Sequence, residues 1–397
     1  MITTINNKHK KLNVPNLRFP EFEGEWEEST IGEMFDLYSG NTPSRLNKEH
    51  FKGTVNWISS GELKEHYIYS SKEQISEEAA KSLKLLPVGT FVIAIYGLEA
   101  EGVRGTGSIT QEPSTISQAC MSFIQKGEIG NEFLYSWYKK HGNVIGIRYA
   151  QGTKQQNLSY DILEKFRIVY PKTKEQEKLN KLISLLDERI STQNKIIEDL
   201  KKLKSAIIEK LYSEIQGKEY SYGQLFDVVN ERNKQMEYSN ILSASQEKGM
   251  VNREDLNLDI QFERGNINTY KIVKKGDYVI HLRSFQGGFA FSDKLGVCSP
   301  AYTILRPNSI LEYGYLSNYF TSQRFIKSLV LVTYGIRDGR SINVDEWLRM
   351  KITIPPKEHQ QYIVKVIGTF ERKIEDEEAY AAHLSKQKQY LLRQMFI

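Results

Sequence analysis

Between Leu179 and Leu211 apolar side chains return at alternating intervals of four and three, at Leu179, Ile183, Leu186, Ile190, Ile197, Leu200, Ile207 and Leu211. Gln193 and Lys204 fill the two missing steps. This is the heptad seam of a helix that packs on another helix. No glycine or proline interrupts the stretch from Lys172 to Gln216. The seam then appears again at Ile363, Ile367, Phe370, Ile374, Glu377, Ala381, Leu384, Lys388, Leu391 and Met395, each 184 positions after its counterpart.

The same offset relates Ile168, Pro171, Gln176, Lys181, Leu200 and Lys202 to Ile352, Pro355, Gln360, Lys365, Leu384 and Lys386, and it needs no gap from Asn157 to Tyr212. A repeat this long indicates two copies of a whole module and not an array of small units. The remaining stretches predict mixed sheet and helix, with strand-like runs at 90–96, 278–282 and 301–305 set among glycine-containing turns. Their openings echo one another, IGEMFD from Ile31 against YGQLFD from Tyr222. The predicted fold is α+β: two globular mixed α/β domains alternating with two long helices that form an antiparallel coiled coil. The expected boundaries are 1–171 and 217–355 for the domains, and 172–216 and 356–397 for the helices.

Polar seam positions suggest the direction of pairing. A parallel pair would put Lys204 against Lys388 and Gln193 against Glu377. An antiparallel pair puts Gln193 against Lys388 and Lys204 against Glu377, with Ile197 on Leu384 and Leu200 on Ala381. Helices of about 38 residues would span roughly 57 Å at about 1.5 Å per residue. Such a pair would act as a measuring rod carrying two unlike readers, an arrangement suited to DNA half-sites spaced by one or more helical turns.

Composition narrows the chemistry. The 397 residues are 40% hydrophobic and 26% charged, with a formal net charge of +5 that is compatible with nucleic acid without requiring it. No apolar run approaches the ~20 residues of a membrane span, so a cytoplasmic protein without membrane contact is expected. Cys120 and Cys298 stand alone, which excludes a disulfide framework and a thiolate zinc site. The seven histidines form no HExxH, so no metal site is expected. The only Pro-Pro, Ile354-Pro355-Pro356-Lys357, does not fit the Asn/Asp-Pro-Pro-aromatic motif of DNA amino-methyltransferases. Gly102 to Gly107 matches neither a P-loop nor a dinucleotide fingerprint, and Glu62-Leu63-Lys64 is an isolated nuclease-like fragment. No catalytic residue is assigned.

Candidate DNA contacts lie in loops rich in Arg, Lys, Ser, Thr, Asn and Gln, side chains that hold phosphates and read base edges. In the first domain they are Thr42, Ser44, Arg45, Ser59, Ser60, Tyr96, Arg104, Lys154, Gln155, Gln156 and Asn157. In the second they are Arg232, Asn233, Lys234, Arg283, Ser284, Gln286, Tyr334, Arg337 and Arg340.

The N-terminal PNLRFPEFEGEW (Pro15 to Trp26), SGNTPSR (Ser39 to Arg45), VNWISSGEL (Val55 to Leu63), the Pro-x(4)-Gln helix starts at Pro171 and Pro355, and the helix ends Leu200 to Tyr212 and Leu384 to Phe396 together resemble the specificity subunits of type I restriction-modification systems. The resemblance covers nearly the whole chain. It implies two target-recognition domains reading a bipartite, asymmetric stretch of double-stranded DNA. It also implies helices that bind two methyltransferase subunits, with S-adenosylmethionine held there and none in this chain, and motor-nuclease restriction subunits that cut unmodified DNA. The second domain, which begins YSYGQ at Tyr220, lacks a counterpart of GNTPS. Alternative readings are a coiled-coil scaffold that does not touch DNA and a self-sufficient restriction or modification enzyme.

Overall fold

The computed structural model describes residues 13–100, 102–152, 156–245, 248–255, 264–281, 288–334 and 341–397. The chain divides into two compact units, Met1–Asn194 with Ala379–Ile397, and Lys195–Glu378. Each unit therefore holds one globular domain, the first half of one long helix and the second half of the other.

In the first unit a five-stranded sheet runs in the order Phe35–Ser39, Cys120–Gln125, Phe91–Ala94, Gly107–Thr110, Tyr67–Ile68. In the second, four strands run Phe226–Val229, Thr303–Pro307, Tyr278–Ile280, Phe289–Phe291. The first four places of the two orders correspond, so the domains share a sheet even where their sequences have diverged. Each domain is closed by a clasp between its first and last strands: Glu27–Thr30 pairs antiparallel with Arg167–Tyr170, and Lys218–Ser221 with Lys351–Ile354. The echoing hexapeptides adopt one conformation. Ile31–Met34 and Tyr222–Leu225 are single helical turns that lead directly into the edge strands at Phe35 and Phe226. The first unit adds helix α1 (Asn131–Tyr149) behind its sheet.

The two long helices are α2 (Thr173–Ser213) and α3 (Lys357–Met395). Their starts explain the Pro-x(4)-Gln motif. Gln176 donates to the carbonyls of Pro171 (2.9 Å) and Glu128 (3.1 Å) and accepts from Gly130 N–H (3.1 Å). Gln360 repeats the pattern on Pro355 (2.9 Å), Ile310 (3.0 Å) and Glu312 N–H (2.7 Å). Both glutamines are buried. One side chain thus satisfies three backbone groups that a helix start and its neighbouring turn would otherwise leave unpaired.

The seam is buried as its pattern requires. Gln193, Ile374 and Leu384 are buried, while Leu186, Ile190, Ile197, Leu200, Lys204, Phe370, Glu377, Ala381 and Lys388 are half-buried. Off the seam, Ser191, Thr192, Glu198 and Asp199 are exposed. Pairing is antiparallel in each unit. In the second, Lys201 meets Glu378 (2.6 Å) and Lys204 meets Glu371 (2.7 Å). In the first, Lys388 meets Asp187, and Arg189 donates to the Tyr380 hydroxyl (2.5 Å).

The ion pairs of the seam lysines between the helices are Lys204 with Glu371 and Lys388 with Asp187, carboxylates one step beyond the seam. The physical reason is reach. A lysine stem can lie along the seam while its ammonium bends out to a carboxylate just outside it, and Asp187 and Glu371 each follow a seam residue, Leu186 and Phe370. Glu377 is held within its own helix by Lys373.

Helix ends anchor the domains. Leu179 and Ile183 of α2 and Leu392, Met395 and Phe396 at the end of α3 join the first domain's core, where Phe396 packs on Phe133 at 5.2 Å. Ile363 and Ile367 of α3 and Ile208 and Tyr212 of α2 join the second, where Tyr212, the repeat counterpart of Phe396, packs on Tyr319 at 5.1 Å. The first unit also carries a half-buried charge cluster. His66 is sandwiched between the rings of Tyr67 (4.1 Å) and Tyr135 (3.9 Å), with Glu132 at 2.9 Å from one ring nitrogen and Asp187 at 3.2 Å from the other. Burial works against both charges. Even so, Asp187 and then Glu132 hold the imidazole above its ordinary pKa, and His66 and Lys388 hold the Asp187 carboxyl below its own.

Candidate nucleic-acid interface

A single turn, 116–120, gathers three of the first domain's candidate loops. Asn41 N–H donates to Ile116 O (3.1 Å) and Gly40 N–H to Cys120 O (3.2 Å), Ser117 N–H donates to Ile58 O (2.9 Å), and Ile95 N–H donates to Ala119 O (2.9 Å). The loops that begin at Gly40, Ser59 and Tyr96 therefore emerge together. Close approach fixes the first of them: a Cβ on Gly40 would lie 2.1 Å from Ile116 O, so only glycine fits.

Within this group the side chains are unequally committed. Thr42 is half-buried and Ser44 exposed. Arg45 forms a two-pronged pair with Glu73 (2.8 Å for each bond) and lies over the rings of Phe51 (4.4 Å) and Trp57 (5.4 Å). Arg45 thereby holds the Glu73 carboxyl below the usual carboxylate range. The Ser59 hydroxyl donates to Glu62 (2.6 Å), which also accepts from Lys72 N–H (2.5 Å), while Ser60 is half-buried. Glu62 is thus a loop staple. An open groove of about 410 Å³ lies beside Glu73, lined by Asn56, Tyr69, Gln74, Leu85 and Glu112 among others.

Tyr96, Arg104, Gln156 and Asn157 form a second group. Tyr96 and Asn157 share a β-bridge. Arg104 donates to Gln156 Oε1 (3.0 Å), and Gln156 N–H donates to Glu99 (2.8 Å). That N–H, and to a lesser degree Arg104, holds the Glu99 carboxyl below its usual range. The glycine-rich stretch from Gly102 is a turn in which Gly102 and Gly105 have φ of +75° and +73°. It is seated on α1, where a Cβ on Gly105 would lie 2.9 Å from Asn143 N and one on Gly146 would lie 2.5 Å from Arg104 Cγ. The partners Glu73 and Gly146 carry no signal in the loops themselves, because each comes from a distant part of the chain.

In the second domain Arg232 and Lys234 are exposed, and Arg232 shares a β-bridge with Lys271. Burial, with Arg232 nearby, holds Lys271 below the usual lysine pKa. Asn233 requires a correction. It is 1% exposed; its amide donates to Tyr238 O (2.7 Å), its Oδ1 accepts from Tyr238 N–H (3.2 Å), and its own N–H donates to Tyr270 O (2.9 Å). A buried asparagine with these bonds closes a loop and does not face a ligand. Tyr334 pairs through its backbone with Ser341. Lys154, Gln155, Arg283, Ser284, Gln286, Arg337 and Arg340 lie outside the described residues.

Among the described residues no group of three or more His, Cys, Asp and Glu could hold a metal ion, and no helix is long and apolar enough to cross a membrane. Both cysteines are buried, which pushes their thiols up to about 12.

The sequence profile of the type I restriction modification DNA specificity domain matches twice, over residues 23–202 and 217–384. The chain belongs to that family. The two matches coincide with the two copies of the repeat. Within the family, the chain is similar to the MjaIX specificity subunit of Methanocaldococcus jannaschii, 26% identical over 51% of this chain and 48% of that one. It is also similar to the EcoR124I/EcoR124II specificity subunit of Escherichia coli, 29% identical over 49% of each. The chain spans about half the length of these two curated relatives. A crystal structure of the type I restriction-modification S subunit from M. genitalium has the same fold, with a TM-score of 0.56 over 97% of this chain and 99% of that one at 16% identity.

Proposed function

We propose that the chain is the DNA-reading subunit of a type I restriction-modification complex, working in the cytoplasm, and that each of its domains reads one half of a bipartite, asymmetric target in double-stranded DNA. One observation carries this reading. The bonds at the two helix starts are repeated, as Gln176 and Gln360 show, while the loops that this frame presents are unlike. Duplicated supports with different tips suit two different half-sites and argue against a palindrome. A scaffold would have no reason to diversify its loops while keeping its frame.

Two methyltransferase subunits, each bringing S-adenosylmethionine, would supply adenine methylation, and motor-nuclease subunits would supply cleavage. This chain would position DNA for them. The target adenines would be flipped into a partner's pocket, a step made easier where the duplex is bent or opened. Helices of 41 and 39 residues would set the spacer between half-sites.

The test is to map adenine methylation by single-molecule sequencing in cells expressing this chain with its methyltransferase partner, against cells lacking this chain. A new split motif with one modified adenine in each half is expected. Absence of any new motif, with both proteins shown to be present and associated, would overturn the reading in favour of a scaffold. Removing one heptad from both helices shortens each by about 10 Å, and it should change the spacer while leaving both half-sites intact.

A further inference from the structure

We propose that Arg104 and Gln156 act as one unit that reads a guanine in the half-site assigned to the first domain, with Gly146 as the positioning residue that makes this reading possible. The inference rests on the DNA-recognition function proposed above. Its starting point is the hydrogen bond from Arg104 Nη2 to Gln156 Oε1 at 3.0 Å. A guanidinium cannot accept a hydrogen bond, so it fixes which way the glutamine amide points. With its oxygen turned toward Arg104, the glutamine contributes an N–H₂ group, and the arginine keeps further N–H groups of its own. The unit therefore offers mainly donors.

Its placement is rigid for reasons that lie outside the pair. The Arg104 stem crosses α1 at Gly146, where a Cβ would come within 2.5 Å of Cγ and 2.9 Å of Cδ. Gly105 presses on the helix backbone at Asn143, and Gln156 is tied by its own backbone, N–H to Glu99 (2.8 Å) and carbonyl to Leu98 N–H (3.1 Å). Arg104 Nε is buried without a partner among the described residues, which leaves the terminal nitrogens of the guanidinium to face outward. Both side chains are half-buried, and the pair adjoins Tyr96 and Asn157 beside the turn that gathers the other candidate loops.

A donor-only face selects among base edges. In the major groove guanine presents two acceptors, N7 and O6, whereas thymine presents one, O4, beside its methyl group, adenine places a donor beside its single acceptor and cytosine presents a donor. A donor pair held at fixed geometry matches guanine and is opposed by the amino groups of adenine and cytosine. Phosphate oxygens are also acceptors, so the discriminating experiment must separate a base contact from a backbone contact.

That experiment is methylation mapping of the complete complex carrying Arg104→Lys or Gly146→Val. Lysine keeps the stem and the charge and loses the fork. The unaltered chain should give a motif with a guanine in one half. Arg104→Lys should lower the preference for guanine at that single position by about tenfold or more, with the other half-site unchanged as an internal control of folding and assembly. Gly146→Val should relax the same position although Arg104 is still present, which a role confined to packing would not do. A half-site without guanine would overturn the proposal. So would an Arg104→Lys motif identical to the original, or a fall in methylation that is uniform over all sites or total. If the unaltered chain yields no motif, the proposed function itself falls, and that outcome is distinct from the others.

Discussion

Lys204 Nζ lies 2.7 Å from a carboxylate oxygen of Glu371, and the counterparts of these residues 184 positions away, Lys388 and Asp187, form the same pair in the other unit with the helix roles exchanged. One contact is therefore written once in the module and used twice. Its recurrence makes it the register mark of the antiparallel pairing.

Reversing the charge in Lys204→Glu should destabilise the second unit by about 1 kcal/mol, the scale of a partly exposed ion pair turned repulsive. Exchanging the charges, Lys204→Glu with Glu371→Lys, should restore most of the loss. Urea denaturation of the full chain checks both, and the difference should shrink in about 1 M salt as screening increases.

Gln176 and Gln360 predict a matched pair of effects. Replacing either by leucine leaves two carbonyls and one N–H without partners in a buried place, which costs about 2–4 kcal/mol. Hydrogen exchange should localise the damage differently: amides near Glu128 to Gly130 should lose protection in Gln176→Leu, and those near Ile310 to Glu312 in Gln360→Leu.

The His66 cluster gives a pH dependence with a defined sign. The folded imidazole titrates above its ordinary value of 6.5, so its stabilisation is complete below that value and is lost as pH rises through the raised pKa. Asp187 titrates below 3.8, so its contribution is present above that value and is lost as pH falls through the depressed pKa. His66→Phe keeps the ring stack and removes the charge. Its thermal destabilisation, on the scale of about 1–3 kcal/mol for a charged hydrogen bond, should be larger at a pH near 6 than at a pH near 9. An effect independent of pH would mean that stacking alone holds the site.

Asn233→Ala should raise hydrogen exchange at Tyr238 and cost about 1–3 kcal/mol through the unpaired backbone of its turn. It should leave the target sequence unchanged in methylation mapping, whereas a relaxed base would return Asn233 to the reading surface.

The heptad spacing, the gapless repeat and the Pro-x(4)-Gln starts determined by themselves that the protein has two copies of a domain and helix module and that its helices pair through a narrow seam. These features are local or periodic, and a one-dimensional string records period directly. The carboxylates that Lys204 and Lys388 reach were a matter for the tertiary structure, because Glu371 and Asp187 lie just outside the seam that the period records. The role of Asn233 was likewise hidden, since a polar residue in a turn-rich stretch looks the same whether it closes the turn or faces a ligand. Arg45 with Glu73, Arg104 with Gln156 and Gly146, and the turn at 116–120 that gathers three loops all join residues far apart in the chain. Such neighbours are fixed by the order of strands in the sheet and by the seating of loops on a helix, and that order is set only when the whole core closes.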